Sequence, residues 1–451
     1  MSLTINNIKT FPMGGVHPAE NKFTADKPIE KLEAPKQVSI PISQHIGAPA
    51  KPVVEQREKV KVGQIIAKSA GFVSANIHAT IAGTIAKFDK IMDSTGYKRD
   101  AIIIKAGKDE EEWDEGIDLS TDLITDFSLS REEIIKKIAE AGIVGLGGAT
   151  FPSHVKLSVP KGRKAEYLIL NGVECEPYLT ADHRLMLEKS QEIIVGARIL
   201  MKALDVEKAI IGIEKNKPDA ILKMAELIAD EKGISVQPLK VQYPQGGEKQ
   251  LIKAAINREV PSGGLPIDVG VVVHNVGTAF AVYEAVQKNK PLVERVVTIT
   301  GKDVKNPSNL LVRIGTPVNT LIEAAGGIPE NTGKVISGGP MMGKALNSVN
   351  IPVAKGTSGI LLIPNEEAKR GKIKVCIRCS KCVDVCPMGL EPYLLMTLTQ
   401  KELFERMEED KVMDCIECGS CSFVCPSDRP LLDYIRLGKK TVASLIRERN
   451  N

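Results

Sequence analysis

Aromatic side chains are scarce. They make up 4% of the chain, and Trp113 is its single tryptophan. Platforms that stack sugars or nucleobases need aromatic faces, so none is expected here. A charge excess is missing as well. Lysine and arginine total 60 against 56 aspartates and glutamates, and no basic stripe interleaved with aromatics appears, which argues against nucleic acid as a partner. Long apolar runs are absent too: VGVVV at 269–273 falls far short of the ~20 residues that span a bilayer. The opening MSLTINNIKTF lacks the basic and then apolar stretches of a secretory leader. A cytoplasmic chain is expected, or one held on a membrane face by partners, with no transmembrane segment of its own.

Cysteine is nearly absent before residue 376, where only Cys175 occurs. The other eight cysteines write one sentence twice. Cys376, Cys379, Cys382 and Cys386 precede Pro387; Cys415, Cys418, Cys421 and Cys425 precede Pro426. Both runs read C-x2-C-x2-C-x3-C-P, the spacing of proteins that carry two [4Fe–4S] clusters. A cube needs four thiolates, three from one tight loop and one from elsewhere, and in such pairs the fourth cysteine serves the other cluster. The first cluster is therefore assigned Cys376, Cys379, Cys382 and Cys425. The second takes Cys415, Cys418, Cys421 and Cys386. The competing readings are a disulfide scaffold and zinc. A chain this long with no leader has little need of staples, and zinc sites usually separate two cysteine pairs by a longer spacer. Free thiolates also imply a reducing compartment. Cys175, taken alone, reads as a small buried hydrophobe.

A prior of about 150 residues per domain suggests about three domains, and the composition shifts mark four stretches. Residues 1–105 carry the short strands VSIPI, KPVVEQ, QIIAKS, ANIHATIAGTIAKF and AIIIKAG, a small β-domain. The cadence VKVGQIIAK followed by HATIAGTIAKF is that of a lipoyl-like barrel sandwich. SANIHATIAG, at the hairpin tip, has no lysine, so the shape is expected without a swinging arm. His17, His45 and His78 are scattered and read as structural. Residues 106–130, with KDEEEWDEGIDLSTD, read as a solvated acidic linker. From 131 to 290 strands and helices alternate, including one long helix over 183–204, which predicts an α/β domain with a largely parallel sheet. Residues 291–365 return to short strands with one helix at NTLIEAAGG. The tail, 366–451, holds the cysteines, with a helix over EPYLLMTLTQKELFERMEED between the two runs and another over LLDYIRLGKKTVASLIRE after them.

Four pieces of the α/β stretch carry binding chemistry. In GIVGLGGATFPSHVKL, 142–157, Gly145, Gly147 and Gly148 let backbone N–H groups approach an anion, and Lys156 adds positive charge. A plain glycine turn is the alternative, and the dinucleotide fingerprint G-x-G-x-x-G is not met. The strand YLIL runs into NGVECEP, and strand ends in α/β sheets are where ligands bind. Asn171 offers an amide there. Glu174 and Glu176 offer acceptors for ribityl or ribose hydroxyls, or are solvated glutamates beside an Asn–Gly turn. YPQGGEKQ, with Gly247 and Glu248, and HNVGTA, with Asn275 and Thr278, sit at two further loops beside predicted elements.

Together these pieces resemble the flavin-binding, NADH-oxidising 51-kDa subunit of respiratory complex I. The glycine loop G-x-G-G-x-x-F-P-x-x-x-K of that family matches Gly145, Gly147, Gly148, Phe151, Pro152 and Lys156. Its N-x-x-E-x-E-P matches Asn171, Glu174, Glu176 and Pro177, and its N-V-x-T matches Asn275, Val276 and Thr278. The resemblance implies bound FMN with NADH stacked over it, Phe151 and Glu176 contacting the nicotinamide nucleotide, and Cys175 lining the pocket. This chain has Leu146, Val173 and Lys249 where that family has an arginine, an aspartate and the second of two glutamates. The order of parts narrows the likeness. A barrel, a flavin domain, a β-grasp-like ligand-binding module with SGGPMMG at 337–343 and a helical ferredoxin-like domain together resemble the RnfC family of the Rnf electron-transport complex. GGVHP at 14–18, SQHIGAP at 43–49 and GFVSANIHA at 71–79 look typical of its N-terminal part.

That resemblance implies a peripheral component on the cytoplasmic face of the membrane. Its partners would be the membrane and ferredoxin-like subunits of the complex, with ferredoxin reached indirectly. Electrons would pass between NAD(H), FMN and two [4Fe–4S] clusters, while partner subunits translocate Na+ or H+. No catalytic acid or base is expected, because the flavin carries the chemistry. Two other readings stand beside this one: a cobalamin reductase, and an electron bridge whose flavin site is vestigial.

Overall fold

The computed structural model describes residues 7–107 and 111–450. The barrel forms where β-branched residues alternate with turns. Gln37–Pro41, Lys98–Ala106, Gly83–Met92 and Lys59–Val60 make one antiparallel sheet; Lys51–Pro52, Ile65–Lys68 and Ile77–His78 make the other. Val38, Ile40, Ile66, Ile77, Ile85, Ile102 and Ile104 fill the space between them. His45 and His78 are buried here. His45 Nε2 accepts from the N–H of Ala75 at 3.1 Å, a bond that fixes a loop, and burial pushes the imidazole pKa of His78 down to about 3.

The α/β domain holds a four-stranded parallel sheet in the order Ile234–Leu239, Ala209–Glu214, Tyr167–Asn171, Val271–Asn275. Parallel strands covered on both faces read as continuous apolar runs, and these do. Leu168, Leu170 and Val272 face the core built on helices Ser190–Leu204 and Val276–Gln287. Ile169, Val271 and Val273 face the core under helix Glu248–Ile256. The chain steps outward twice from the Tyr167–Asn171 strand and then returns to its other side. That reversal opens a crevice at the carboxyl ends of the neighbouring strands Tyr167–Asn171 and Val271–Asn275, the place where such sheets take ligands.

The helix expected over 183–204 is two helices, Ala181–Glu188 and Ser190–Leu204, broken at Lys189. Two contacts pull the halves apart. A Cβ on Gly196 would lie 2.0 Å from the carbonyl of Ala279, so the second half is pinned backbone to backbone. The first half must bring Asp182 and His183 to Glu174. The helix expected between the cysteine runs is also two, Pro392–Gln400 and Phe404–Glu409, with Glu402 left-handed between them. Both pack on the terminal helix Leu431–Asn450 through Leu395, Met407 and Ile435.

The acidic stretch expected to be a solvated linker is irregular and mostly exposed over residues 111–130, residues 108–110 lying outside the described residues, and it is also fastened to the domain at a few points, as a strap. The Trp113 ring lies 4.6 Å under the Arg313 guanidinium. Glu111 pairs with Arg313 at 2.8 Å and Asp118 with Lys288 at 2.6 Å. Those cations are 3% and 7% exposed. Arg313 also pairs with Glu294 at 3.2 Å, whereas Lys288 bonds to Asp118 and Ser120 of the strap, so burial without the strap would leave Lys288 poorly compensated. The N-terminal segment also leaves the barrel. Lys9 bridges to Leu239, Val16 pairs with Tyr243, and Ile29–Lys31 adds a parallel strand to Ser308–Arg313. The resulting six-stranded sheet also contains Glu294–Thr300, Gly359–Pro364, Thr332–Ser337 and Lys344–Ala345.

Candidate redox site

Register sets the centre of the crevice. Asn171 and Asn275 end neighbouring strands and stand opposite each other. Asn275 caps helix Val276–Gln287: its Oδ1 accepts from the N–H groups of Gly277 at 2.8 Å and Thr278 at 3.3 Å. Its Nδ2 donates to Asp182 at 2.6 Å. Asn171 Nδ2 donates to the carbonyl of Gly246 at 2.8 Å, which ties the YPQGGEKQ loop to the strand end. The buried Thr278 hydroxyl accepts from the N–H of Leu146 at 2.9 Å, so the glycine loop is anchored to the same helix start. Gly148 is left-handed (φ +107°) with open space where a side chain would point. Gly147 lies against Asn275, with 3.5 Å between a built Cβ and the asparagine Cβ. A glycine cradle facing a twelve-residue helix start suits a phosphate-bearing ligand. Lys156 donates to Glu248 at 2.8 Å and to the carbonyl of Val273 at 3.0 Å, which brings two expected site residues together at the rim.

The other expected residues have further duties. Gly145 and Phe151 close the glycine loop through a backbone bond of 2.9 Å. Glu174, itself left-handed, accepts from the N–H groups of Asp182 at 2.8 Å and His183 at 3.1 Å, so it caps a helix whose Ncap Thr180 makes no side-chain cap. Glu176 accepts from the N–H groups of Met341 at 3.1 Å and Met342 at 2.7 Å, in the SGGPMMG loop. Burial pushes its carboxyl up to about 7, against the pull of those two N–H groups. The Cys175 thiol accepts from the N–H of Gly246 at 3.3 Å, and burial raises its pKa. Gly247 precedes helix Glu248–Ile256 as its Ncap.

Three participants were not singled out in the sequence. Asp182 is pushed up to about 7 by burial and by Glu174, while its bond to Asn275 and the charge of Arg295 oppose the shift. Arg295 is buried beneath the glycine loop, with one N–H 3.5 Å from the carbonyl of Leu146; burial lowers its pKa to about 10. Lys22, from the N-terminal segment, donates to the carbonyls of Glu174, Glu176 and Leu179 at 2.9, 2.9 and 2.7 Å. None has a local motif; only tertiary contact gives them a task.

The cysteine runs repeat their backbone as well as their spacing. Arg378 and Ser380 in the first, and Glu417 and Gly419 in the second, are all left-handed at matching positions. Short helices Lys381–Asp384 and Ser420–Phe423 then carry Cys382 and Cys421. Cys386, from the first run, lines one cavity with Cys415, Cys418 and Cys421. Burial and the neighbouring thiols push Cys421 up to about 12, and burial pushes Cys415 up to about 11. Cys425, from the second run, and Cys376, from the first, both stand near Cys382 and raise its pKa, after the larger effect of burial. Cys379 is exposed. Among the described residues no group of three or more His, Cys, Asp or Glu side chains closes tightly enough to grip a single metal ion. Four thiols lining one cavity are the donor set that a [4Fe–4S] cluster takes.

The two sites touch. Tyr243 Oη donates to the carbonyl of Cys418 at 2.8 Å and lies 3.5 Å from Glu176. Val16, Tyr243 and Cys418 form one buried apolar group, flanked by Cys175 and Met341.

Comparison with known proteins accounts for this arrangement. Residues 9–109 match the RnfC barrel sandwich hybrid domain, 138–284 the Nuo51 FMN-binding domain, 296–345 the SLBB domain and 369–426 the 4Fe-4S dicluster domain. The C subunit of the proton-translocating ferredoxin:NAD(+) oxidoreductase complex of Clostridium ljungdahlii is 50% identical over 405 residues, covering 89% of this chain and 87% of that protein. The chain belongs to the RnfC family. A second member, the C subunit of the Na(+)-translocating ferredoxin:NAD(+) oxidoreductase complex of Acetobacterium woodii, is 42% identical over 97% of this chain and 98% of its own length. A chain of an NAD+-reducing [NiFe]-hydrogenase aligns at a TM-score of 0.48 with 18% identity, over 69% of this chain and 62% of that one, too remote to carry an argument. As an RnfC-family chain the molecule combines a flavin-type domain with a dicluster domain. Among its described residues no helix is long and apolar enough to cross a membrane.

Proposed function

We propose that the chain is the peripheral subunit of an ion-translocating ferredoxin:NAD+ oxidoreductase complex, through which electrons pass between NAD(H) and two [4Fe–4S] clusters by way of FMN. The direct contact between the two sites carries the proposal: Tyr243 reaches from the loop beside the crevice to the backbone of the cluster ligand Cys418. The crevice takes FMN. Gly145, Gly147, Gly148, Lys156 and the capped start of helix Val276–Gln287 hold its phosphate side, and Asn171, Cys175, Gly247 and Glu248 border the ring side. Phe151 and Glu176 face the nicotinamide nucleotide. FMN, when bound, exchanges a hydride with the nicotinamide and electrons one at a time with the clusters. The overall step balances as NADH and two oxidised clusters giving NAD+, one proton and two singly reduced clusters, or the reverse.

The first quartet is Cys376, Cys379, Cys382 and Cys425; the second is Cys415, Cys418, Cys421 and Cys386. Partner subunits, membrane-embedded and ferredoxin-like, exchange electrons with the clusters and move the coupling ion. One relative is named for protons and another for Na+, and this chain offers no membrane-crossing helix among its described residues. A site for NADH and free thiolates suits the cytoplasmic face.

Anaerobic titration of the cluster-reconstituted, FMN-supplemented chain with NADH tests the reading. Flavin absorbance should bleach and cluster absorbance should fall with it. Intact clusters and bound FMN that ignore NADH would overturn it in favour of an electron bridge.

A further inference from the structure

The GGVHP stretch has no place in the flavin or cluster chemistry so far, yet it lies between them. Gly14 is left-handed (φ +71°), and a Cβ there would stand 2.7 Å from the carbonyl carbon of Cys386 and 2.7 Å from the oxygen of Val385. Gly15 is left-handed too (φ +91°), with 2.9 Å between a built Cβ and the carbonyl oxygen of Tyr243. The bonds around this turn run both ways. The N–H of Gly15 donates to Val385 at 2.9 Å. Val16 and Tyr243 exchange backbone bonds of 2.8 and 2.9 Å. Gln242 Nε2 donates to the carbonyl of Gly14 at 2.7 Å. One face of the turn thus touches the segment that carries Cys386, and the other pairs with the residue whose hydroxyl holds Cys418.

We propose that the Gly14–Gly15 turn is a positioning element that sets the separation between the second cysteine quartet and the flavin-side loop at Tyr243. It rests on the redox reading above. Cys386 and Cys418 both belong to the second quartet, so a single turn reaches that quartet from two sides. Only glycine permits the approach: any side chain at Gly14 meets the backbone at Cys386, which cannot yield as the tip of a flexible side chain can. One-electron exchange between two bound centres weakens steeply with distance, so a small displacement here slows the exchange without touching either cofactor's ligands.

The test uses the full chain with reconstituted clusters and added FMN. Gly14→Ala is compared with the parent and with Gly162→Ala. Gly162 has φ +84° and nothing within 4 Å of its β-position, so this control carries the backbone strain without the collision. Iron and FMN contents, the rate of flavin bleaching by NADH and the subsequent rate of cluster bleaching are measured. In half-reduced samples poised with dithionite, the magnetic coupling between the one-electron-reduced, paramagnetic flavin and the reduced cluster is measured as well.

The expected result for Gly14→Ala is unchanged cofactor content and flavin step, a cluster step slowed about tenfold or more, and weakened coupling; Gly162→Ala should match the parent. A Gly14→Ala chain with parental cluster rate and coupling overturns the proposal. If that variant loses iron, Gln242→Ala decides: it removes the donor to Gly14 at 2.7 Å and otherwise only a 3.3 Å acceptor of the Thr10 hydroxyl, which keeps Gln245 at 2.8 Å. A cluster step slowed about threefold or more with an intact flavin step supports positioning, and a parental rate overturns it. The dithionite measurement needs no NADH. A parent that shows coupling but ignores NADH would remove the functional reading and leave the positioning test standing.

Discussion

Individual side chains in this molecule serve two ends. Cys386 is written in the first cysteine run but faces the thiols of the second, and Cys425 does the converse. Cys386→Ser should therefore lower iron content by about half and remove the signal of the second cluster, leaving that of the first. Loss of the first signal instead would reverse the assignment. Glu176 offers a test by pH. Its carboxyl titrates near 7 in the fold, against an ordinary 4.5, because burial disfavours the charge. Between those two values the native chain binds a proton that the unfolded chain has released. Stability from this group is full below 4.5 and is lost as pH rises through 7, by up to about 3 kcal/mol. Glu176→Gln should flatten the fall in melting temperature between pH 5 and pH 8, and Asp182, shifted the same way, should keep part of the slope. A slope equal to the parent's would show that Glu176 ionises freely in the fold.

Elements place these side chains, and here local pattern and tertiary demand part company. The parallel sheet was legible because its strands are short, apolar and spaced by helices. The crevice was legible because glycine and asparagine punctuate the strand ends. The break at Lys189 was not: both halves of 183–204 have helical periodicity, and the break is imposed by Gly196 against Ala279 and by Glu174 capping the first half. The duty of Glu174 was hidden for the same reason, since its partners lie eight and nine residues on. The coupling of loop to helix gives a prediction at this scale. Thr278→Val keeps the shape of the side chain but leaves the N–H of Leu146 without its acceptor. The helix should survive and the glycine loop should loosen, weakening FMN binding by roughly tenfold. FMN fluorescence quenching on binding measures this, and parental affinity would mean the loop needs no anchor.

At the scale of the whole molecule, the least legible part is the one that joins the rest. Residues 7–31 have no helix and no core of their own, so no periodicity announces them; their partners lie in three other domains. Phe11 and Val16 are buried, Lys22 closes the loop after Asn171, and Ile29–Lys31 completes a distant sheet. One buried network fixes the far half of this segment. The Asn309 side chain accepts from the hydroxyls of Thr180 at 2.9 Å and Thr298 at 2.8 Å, and donates to the carbonyls of Thr24 at 2.9 Å and Lys27 at 3.2 Å. Every polar atom of that amide is used, so losing it breaks four hydrogen bonds at once, although the Thr180 and Thr298 hydroxyls each keep one other partner, at a cost of about 3 kcal/mol. The loss should not be spread evenly. The sheet and helices keep their own apolar cores, whereas the N-terminal segment has only such borrowed contacts. Asn309→Ala should therefore free it before the molecule melts. Brief trypsin treatment at a temperature well below the melting point should cut the variant after Lys22 while the parent resists, as read by the mass of the trimmed chain; Lys27 is followed by Pro28 and is not a site. A variant that melts earlier yet resists trypsin there would show that the network steadies the sheets alone and that the segment is held by its other contacts.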